Sequence, residues 1–440
     1  MQASPPHPPA LRAGLLGFGV VGSGTHSVLT GNRDTIRARA GCPIELTMVA
    51  TRTASRARAS VQADVAVLDD PMALARHPEV DVVIEAMGGT THARACVLEA
   101  IAHGKHVVTA NKALLAEHGE EIFESARARG VSVGFEAAVA VSIPIVKALR
   151  EGLVANEIEW IAGIVNGTSN YVLTQMSAAG RSFADALAEA QALGYAEADP
   201  TLDVGGGDAA HKLALLAAIA FGGPPRLDAV HVEGIDGLQA TDFLHARRLG
   251  HAIKLLAVAQ RAEGALQLRV HPALVPRDSL LARVDGRMNG IMVKGNASGV
   301  TMYWGAGAGS RETASAVVAD LVDLARARRQ GAQVAVPALG FHDAALQPPR
   351  VGVFAGLCLR HYLRVALDQP EGGAQVLETL ARLGVPVTQG AQGRHTLALI
   401  TGEVAESRIT AALDALRALD GVQVKARLRV EDLAGAADGG

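Results

Sequence analysis

The stretch between Ala13 and Leu29 constrains this chain most. A short apolar run, Ala13–Leu16, leads directly into Gly17-Phe18-Gly19-Val20-Val21-Gly22, and a helix can follow from about Val20 to Leu29. The next apolar run is Ile44–Ala50. Strand, glycine turn, helix, strand is the order a βαβ unit requires. The glycines divide the work: Gly17 allows the tight turn, Gly19 lets a pyrophosphate approach the backbone, and Gly22 lets helix and strand pack closely. The positive end of the helix then attracts phosphate. Gly17, Phe18, Gly19, Val20, Val21 and Gly22 are therefore candidate dinucleotide-binding residues, with a purely structural glycine turn as the bland alternative.

The alternation continues. Val80–Ala86, Val107–Thr109 and Val131–Phe135 read as buried strands, and Thr91–His103 and Glu117–Arg129 as helices. A Rossmann-type, doubly wound parallel sheet is the economical solution. No acid ends the second strand to hold a ribose hydroxyl; Thr51-Arg52-Thr53 stands there. Arg52 can meet the 2′-phosphate of NADP, or it is simply solvated, so NADP is expected and NAD stays open. Asn111-Lys112 follows a strand and falls at the sheet edge where open α/β folds bind ligands. A lysine there can hold a carboxylate or polarise a carbonyl. Glu136 follows the next strand and by itself reads as a helix-capping acid.

Beyond residue 142 the pattern changes. Ile143–Glu151 reads as a helix with Pro144 near its start, Glu157–Val165 as a strand, and Phe183–Leu193 and Asp208–Phe221 as alanine-rich helices. The loop between them carries Glu197, Asp199, Asp203 and Gly205-Gly206-Gly207. If Asp208 opens the last helix, it lies one turn before Lys212 on the same face. The carboxylate favours charged Lys212 and burial favours neutral Lys212, and the balance decides whether it exchanges protons. Leu266–Tyr303 reads as several short antiparallel strands, Thr313–Arg328 as a helix, and Gln330–Gln347 as a linker ending in Pro348-Pro349. The segment Val351–Asp432 reads as strand, helix, two strands, helix, strand, a ferredoxin-like βαββαβ order.

With 440 residues, 49% hydrophobic and 19% charged, the chain is a folded protein of two to three domains. A net charge of −3 and 3% aromatics argue against a nucleic-acid partner. Cys42, Cys96 and Cys358 are too scattered for a disulfide framework or cysteine-rich metal site, which suits a reducing compartment. The apolar run near Leu213–Phe221 is too short for a bilayer. The opening MQASPPHPPALR reads as a floppy leader rather than a secretion signal. A cytoplasmic protein without membrane contact is expected.

The chain resembles the homoserine dehydrogenase family, of the monofunctional bacterial type with a C-terminal ACT domain. The segments carrying the resemblance include GLLGFGVVGSG at Gly14, GKHVVTANKALLA at Gly104, FEAAVAVSIPIVKALRE at Phe135, GIVNGTSNYVLTQM at Gly163 and ALGYAEADPTLDVGGGDAAHKLALLA at Ala192. It covers about residues 11–330 and is weaker beyond. It implies an NAD(P)-binding domain at 11–142 with a return helix at about 307–345, an α+β catalytic and dimerisation domain at 143–306, and an ACT-like domain at 350–433. The implied reaction interconverts L-homoserine and L-aspartate 4-semialdehyde in threonine, methionine and isoleucine biosynthesis. Residue by residue, Lys212 matches the acid/base, Glu197 and Asp208 the substrate-holding acids, and Lys112 a lysine near nicotinamide and substrate that can share the proton transfer, which leaves open which of the two lysines carries it. Glu136 matches a sodium ligand, with the backbone carbonyls of Val139, Val141 and Ile143, which replaces the capping reading. Val141 and Ser142 stand where the family usually has glycines, Glu312 replaces a common proline, and Asp368-Gln369-Pro370-Glu371-Gly372 has one residue more than the family's D-x-P-G turn. The resemblance further implies L-threonine as effector and a homodimer or homotetramer. A catalytically inactive amino-acid sensor is the rival reading.

Overall fold

The computed structural model describes residues 9–331, 336–342 and 349–433. Most of the expected leader and parts of the expected linker lie outside them. The chain divides into two compact units. The first holds Met1–Ile158, Ala214–Asp228 and Gly305–Pro349, and the second Glu159–Leu213, Ala229–Trp304 and Arg350–Gly440.

The first unit opens with β1 (Leu11–Leu16), α1 (Val20–Gly31), α2 (Arg33–Ala40), β2 (Ile44–Ala50), α3 (Ala54–Arg58), β3 (Ala66–Leu68) and α4 (Pro71–Arg76). It continues with β4 (Val82–Glu85), α5 (Thr91–Ala102), β5 (His106–Thr109), α6 (Lys112–Arg129), β6 (Val133–Gly134) and α7 (Ile145–Lys147). The strands form one parallel sheet in the order β3-β2-β1-β4-β5-β6, as a doubly wound fold requires. Leu15, Val49, Val82 and Ile84 are fully buried within it, which is why these strands read as continuous apolar runs.

Several boundaries differ from the expected ones for local reasons. Helix α6 starts at Lys112, five residues before the expected Glu117, because the Asn111 side chain accepts from Leu114 N–H at 3.2 Å and caps it. Strand β6 is shorter than Val131–Phe135 because a 3₁₀ turn begins at Glu136. The expected helix over Ile143–Glu151 is α7 followed by a π-turn at Ala148–Gly152.

Asp81, just before β4, accepts from Arg12 of β1 at 2.8 Å and from Arg328 at 2.8 Å. Burial raises its pKa, but the guanidinium hydrogen bonds prevail and hold it at about 2. A depressed carboxyl stabilises the fold above its unfolded pKa of 3.8, and that contribution fades as the pH falls toward 2. Asp81→Asn should flatten this part of the stability–pH curve, measured by urea unfolding at stepped pH.

The second unit takes in β7 (Ile158–Ile164), α8 (Gly167–Ala179), α9 (Phe183–Ala192), α10 (Thr201–Val204) and the start of α11 (Gly207–Phe221). Then come β8 (His231–Val232), α12 (Ala240–Arg248), β9 (His251–Ala262), β10 (Ala265–Pro276), β11 (Met288–Gly295) and β12 (Gly299–Ala306). Helix α13 (Ser310–Arg329) returns to the first unit, where Val317, Leu321 and Ala325 join the core of the parallel sheet. The terminal segment forms β13 (Cys358–Leu367), α14 (Gly372–Arg382), β14 (Val387–Gln392), β15 (Thr396–Thr401), β16 (Val404–Ala405), α15 (Glu406–Arg417) and β17 (Val422–Val430). Its strands lie in the ferredoxin-like order β17-β13-β15-β14, with Val376, Leu380, Ile409 and Leu416 of its helices packed on Leu363, Val365 and Leu399. Parallel pairing of Ala273 with Arg429 and Leu274 with Val430 joins it to β10, so one mixed sheet runs through the unit. Among the described residues no helix is long and apolar enough to cross a membrane.

Candidate active site and cofactor loop

The glycine turn lies where β1 gives way to α1, and Gly17 N–H donates to Ala50 O at 2.9 Å. Gly17 has φ +93°, and a Cβ there would stand 2.6 Å from Ala86 O. A Cβ on Gly22 would stand 2.1 Å from Gly17 O, whereas a Cβ on Gly19 would meet nothing within 4 Å. Two glycines are thus required by packing, and the third leaves an open approach to the backbone. Gly19 caps α1 with no side chain and no acid follows in the first turn, so the helix end keeps its positive character. These features fit a dinucleotide phosphate. Phe18 is buried and Val20 exposed. Arg52 is exposed two residues beyond Ala50, at the same sheet edge as Gly17.

At the ends of β4 and β5 lies a polar cluster around Glu85 and Thr109, two residues that sequence reasoning left unassigned. Glu85 is fully buried. Its Oε1 accepts Met87 N–H at 2.8 Å and Gly88 N–H at 3.2 Å, and its Oε2 accepts the Thr109 hydroxyl at 2.7 Å. Thr109 in turn accepts Asn111 N–H at 3.0 Å, and Asn111 Nδ2 donates to Gly89 O at 2.7 Å. Lys112, half-buried at the first position of α6, is therefore set by a hydrogen-bonded corner. The signal for Glu85 was an acid closing an apolar strand at the ligand-binding edge.

Glu136 is buried, and its oxygens accept Val146 N–H at 3.0 Å and Lys147 N–H at 2.9 Å. Burial pushes its carboxyl up to about 7 against those bonds. Its own N–H donates to Asp320 Oδ2 at 2.9 Å, and burial with the Glu136 charge raises Asp320 to about 7. Ala140 takes φ +51°, turning the backbone between the Val139 and Val141 carbonyls, while the Ile143 carbonyl accepts Ile145 N–H at 2.7 Å. Both Glu136 oxygens are thus held by backbone N–H groups at the start of α7, as a capping acid's are, and oxygen donors of this kind are the ones a hard cation takes. Among the described residues no group of three or more His, Cys, Asp or Glu side chains converges for a metal.

In the second unit Lys212 is 8% exposed and Asp208 5%. Lys212 Nζ donates to Asp208 Oδ2 at 2.7 Å and to Val165 O at 2.6 Å, so the expected one-turn pairing on α11 is present. An ammonium has three N–H bonds, which leaves one for a ligand. Asn166, which sequence reasoning also left unassigned, bridges the acids: its Nδ2 donates to Asp203 Oδ1 at 2.7 Å and Asp208 Oδ2 at 2.8 Å, while its Oδ1 caps α8. Burial, first, and the nearby Asp208 charge raise the Asp203 carboxyl. The other two loop acids, Asp199 and Glu197, are exposed. Asp199 accepts from Thr201 Oγ1 at 2.6 Å, a local turn. Glu197 is exposed, and among the described residues no hydrogen bond joins its carboxylate to Asp208 or Lys212. Glu197, Asp208 and Lys212 belong to the second unit; the glycine turn, Arg52, Lys112 and Glu136 belong to the first.

A doubly wound parallel sheet with its glycine turn at the ligand-binding edge defines a dinucleotide-binding fold, and the second unit carries a buried lysine–carboxylate pair. The homoserine dehydrogenase NAD-binding domain model matches residues 17–136, and the homoserine dehydrogenase model matches residues 144–322. The chain is 48% identical to homoserine dehydrogenase of Pseudomonas aeruginosa over 96% of its own length and 99% of the relative's. It is 45% identical to homoserine dehydrogenase of Neisseria gonorrhoeae, covering 93% and 96% of the two chains. The crystal structure of a homoserine dehydrogenase from Thiobacillus denitrificans superposes with a TM-score of 0.93 at 47% identity, covering 97% of this chain and 99% of that one. The chain belongs to the homoserine dehydrogenase family.

Proposed function

We propose that the chain interconverts L-homoserine and L-aspartate 4-semialdehyde, with NADP as the working cofactor. The buried Lys212–Asp208 pair, in a chain of this family, carries the reading. The bound nicotinamide supplies the hydride acceptor. Lys212 Nζ takes the proton from the substrate hydroxyl and returns it in the reverse direction. Asp208 and Glu197 hold the substrate ammonium, and Asp208 also orients Lys212. Lys112 offers positive charge to the substrate carboxylate beside the nicotinamide. Gly17, Phe18, Gly19, Val20, Val21 and Gly22 cradle the pyrophosphate, and Arg52 meets the 2′-phosphate.

Glu136 and the carbonyls of Val139, Val141 and Ile143 would hold a sodium ion that orders the turn before α7 and takes no part in the chemistry. Residues 11–142 with 307–345 form the cofactor domain, 143–306 the catalytic and dimerisation domain, and 350–433 an ACT-like domain that takes L-threonine. The ferredoxin-like strand order of 350–433 supports the last assignment. The working form is a cytoplasmic homodimer or homotetramer.

The test is the appearance of reduced nicotinamide with purified protein, L-homoserine and either NADP⁺ or NAD⁺, with and without L-threonine. Turnover is expected, faster with NADP⁺ and slowed by L-threonine. Threonine binding without any turnover in folded protein would favour a sensor instead. Arg52→Ala should raise the KM for NADP⁺ by about tenfold, the scale of one charge-assisted hydrogen bond, and leave that for NAD⁺ nearly unchanged.

A further inference from the structure

We propose that Glu233, Arg429 and Glu406 form a positioning relay by which the terminal βαββαβ module fixes the loop that presents Asp208 and Lys212 to the amino-acid substrate. The proposal rests on those two residues acting as assigned above.

The relay begins in the module. Glu406, 4% exposed, opens α15, and its carboxylate accepts Arg429 Nε at 2.6 Å and Nη2 at 3.1 Å. Arg427 donates to the same carboxylate. Arg429, 2% exposed on β17, turns its other edge to Glu233, donating from Nη1 at 2.7 Å and Nη2 at 2.8 Å. One guanidinium thus clamps two carboxylates, each by a paired contact. The guanidinium is covered as well, while Glu233 is half-exposed. Arg429 lies 4.9 Å from the Phe354 ring centre, Phe354 stacks on His231 at 3.6 Å, and His231 Nε2 is 2.8 Å from Glu233 Oε1.

Glu233 then reaches the catalytic loop through its neighbours. Its N–H donates to Val270 O at 2.8 Å, holding it against β10. Ile235, fully buried, donates its N–H to Val204 O at 2.8 Å. A Cβ on Gly234 would stand 2.7 Å from Val204 O and 2.9 Å from Gly205 Cα, so the two backbones touch. Val204 follows Asp203, which shares Asn166 with Asp208, which holds Lys212.

This loop needs an external support. Gly205-Gly206-Gly207 sits directly before Asp208, and Gly206 takes φ +86°. Three glycines give the chain many backbone states and little stiffness of their own. Asn166 and Ser169 hold the loop at Asp203, and the segment Val232 to Ile235 supports it on the side of Val204 and Gly205. That segment is pinned from the far side by Arg429. Glu233 is half-exposed, and an ion pair open to solvent on one side adds little net stability, so the contact from Arg429 is better understood as fixing orientation.

The experiment compares steady-state kinetics of wild type, Glu233→Gln, Glu233→Asp and Arg429→Lys, plus the Glu233→Gln/Arg429→Lys double variant, in the full-length chain. Glu233→Gln should raise the KM for L-homoserine about five- to tenfold, the range for residues that couple to a site without touching it. Its kcat, its KM for NADP⁺ and its melting temperature should change little. Glu233→Asp, which keeps the charge, should recover part of the loss. The double variant should be no worse than the weaker single one, as for two residues acting through one contact. An unchanged homoserine KM in folded Glu233→Gln would overturn the relay. So would parallel losses in both KM values and in melting temperature, which would mark a structural role. Failure of the wild type to oxidise L-homoserine would instead overturn the proposed function.

Discussion

Lys212→Ala is expected to lower kcat by about a hundredfold or more, the scale of a lost general acid/base, while NADPH still binds and the chain still folds. The lysine is 8% exposed and spans Asp208 Oδ2 at 2.7 Å and Val165 O at 2.6 Å. Alanine keeps the α11 backbone, since it is the best helix former, and removes a donor from two buried oxygens. Part of the loss would thus come from Asp208 relaxing. Lys212→Arg separates the effects: it supplies positive charge to Asp208 but holds its proton too tightly to exchange it. It should retain homoserine affinity better than alanine does and be nearly as slow. Rates of nicotinamide reduction for both variants, with cofactor affinity from fluorescence titration, check this. Near-normal turnover in Lys212→Ala would remove the proposed base.

Arg269→Ala should destabilise the fold by about 3–5 kcal/mol, the scale of a buried ion pair that loses one partner. Arg269 is completely buried and donates to Glu431 from Nε at 2.6 Å and Nη2 at 2.9 Å. Burial alone would raise the Glu431 carboxyl, but Arg269 and His271 hold it well below the usual range. Without Arg269 the carboxylate keeps His271 at 3.1 Å as a partner but loses its permanent positive charge. Its folded pKa then rises above the unfolded value. An acid shifted that way loses stability as the pH rises, so the variant's deficit should be larger at pH 8 than at pH 5. Arg269→Met with Glu431→Leu removes both charges together and should recover most of the loss. Urea unfolding at the two pH values measures both effects.

How much was legible in the sequence depended on whether chemistry and spacing were local. The glycine turn was legible because it joins an apolar strand directly to a helix, with a second apolar run following. Asp208 and Lys212 were legible because a helix turn brings residues four apart together. Helix α8 was missed: Asn166-Gly167-Thr168 reads as a strand-ending loop, and only the cap from Asn166 Oδ1 to Ser169 N–H, at 2.7 Å, reveals a start. Strand β9 was missed because Ile253 to Ala259 are buried on both faces, so the period of two is absent. The partnership of Arg429 with Glu233 spans 196 residues, and charges so far apart read as solvated surface. Glu197 shows the converse, since among the described residues nearness along the loop gives its exposed carboxylate no hydrogen bond to Lys212.

The central step of the proposed reaction is the exchange of a proton between Lys212 and the hydroxyl of L-homoserine as the nicotinamide is reduced. The most direct measurement follows both products of wild type and Lys212→Ala with L-homoserine and NADP⁺. L-Aspartate 4-semialdehyde and NADPH are expected in equal amounts from wild type, and almost none of either from the variant. Equal product from both proteins, or NADPH without the semialdehyde, would contradict this mechanism.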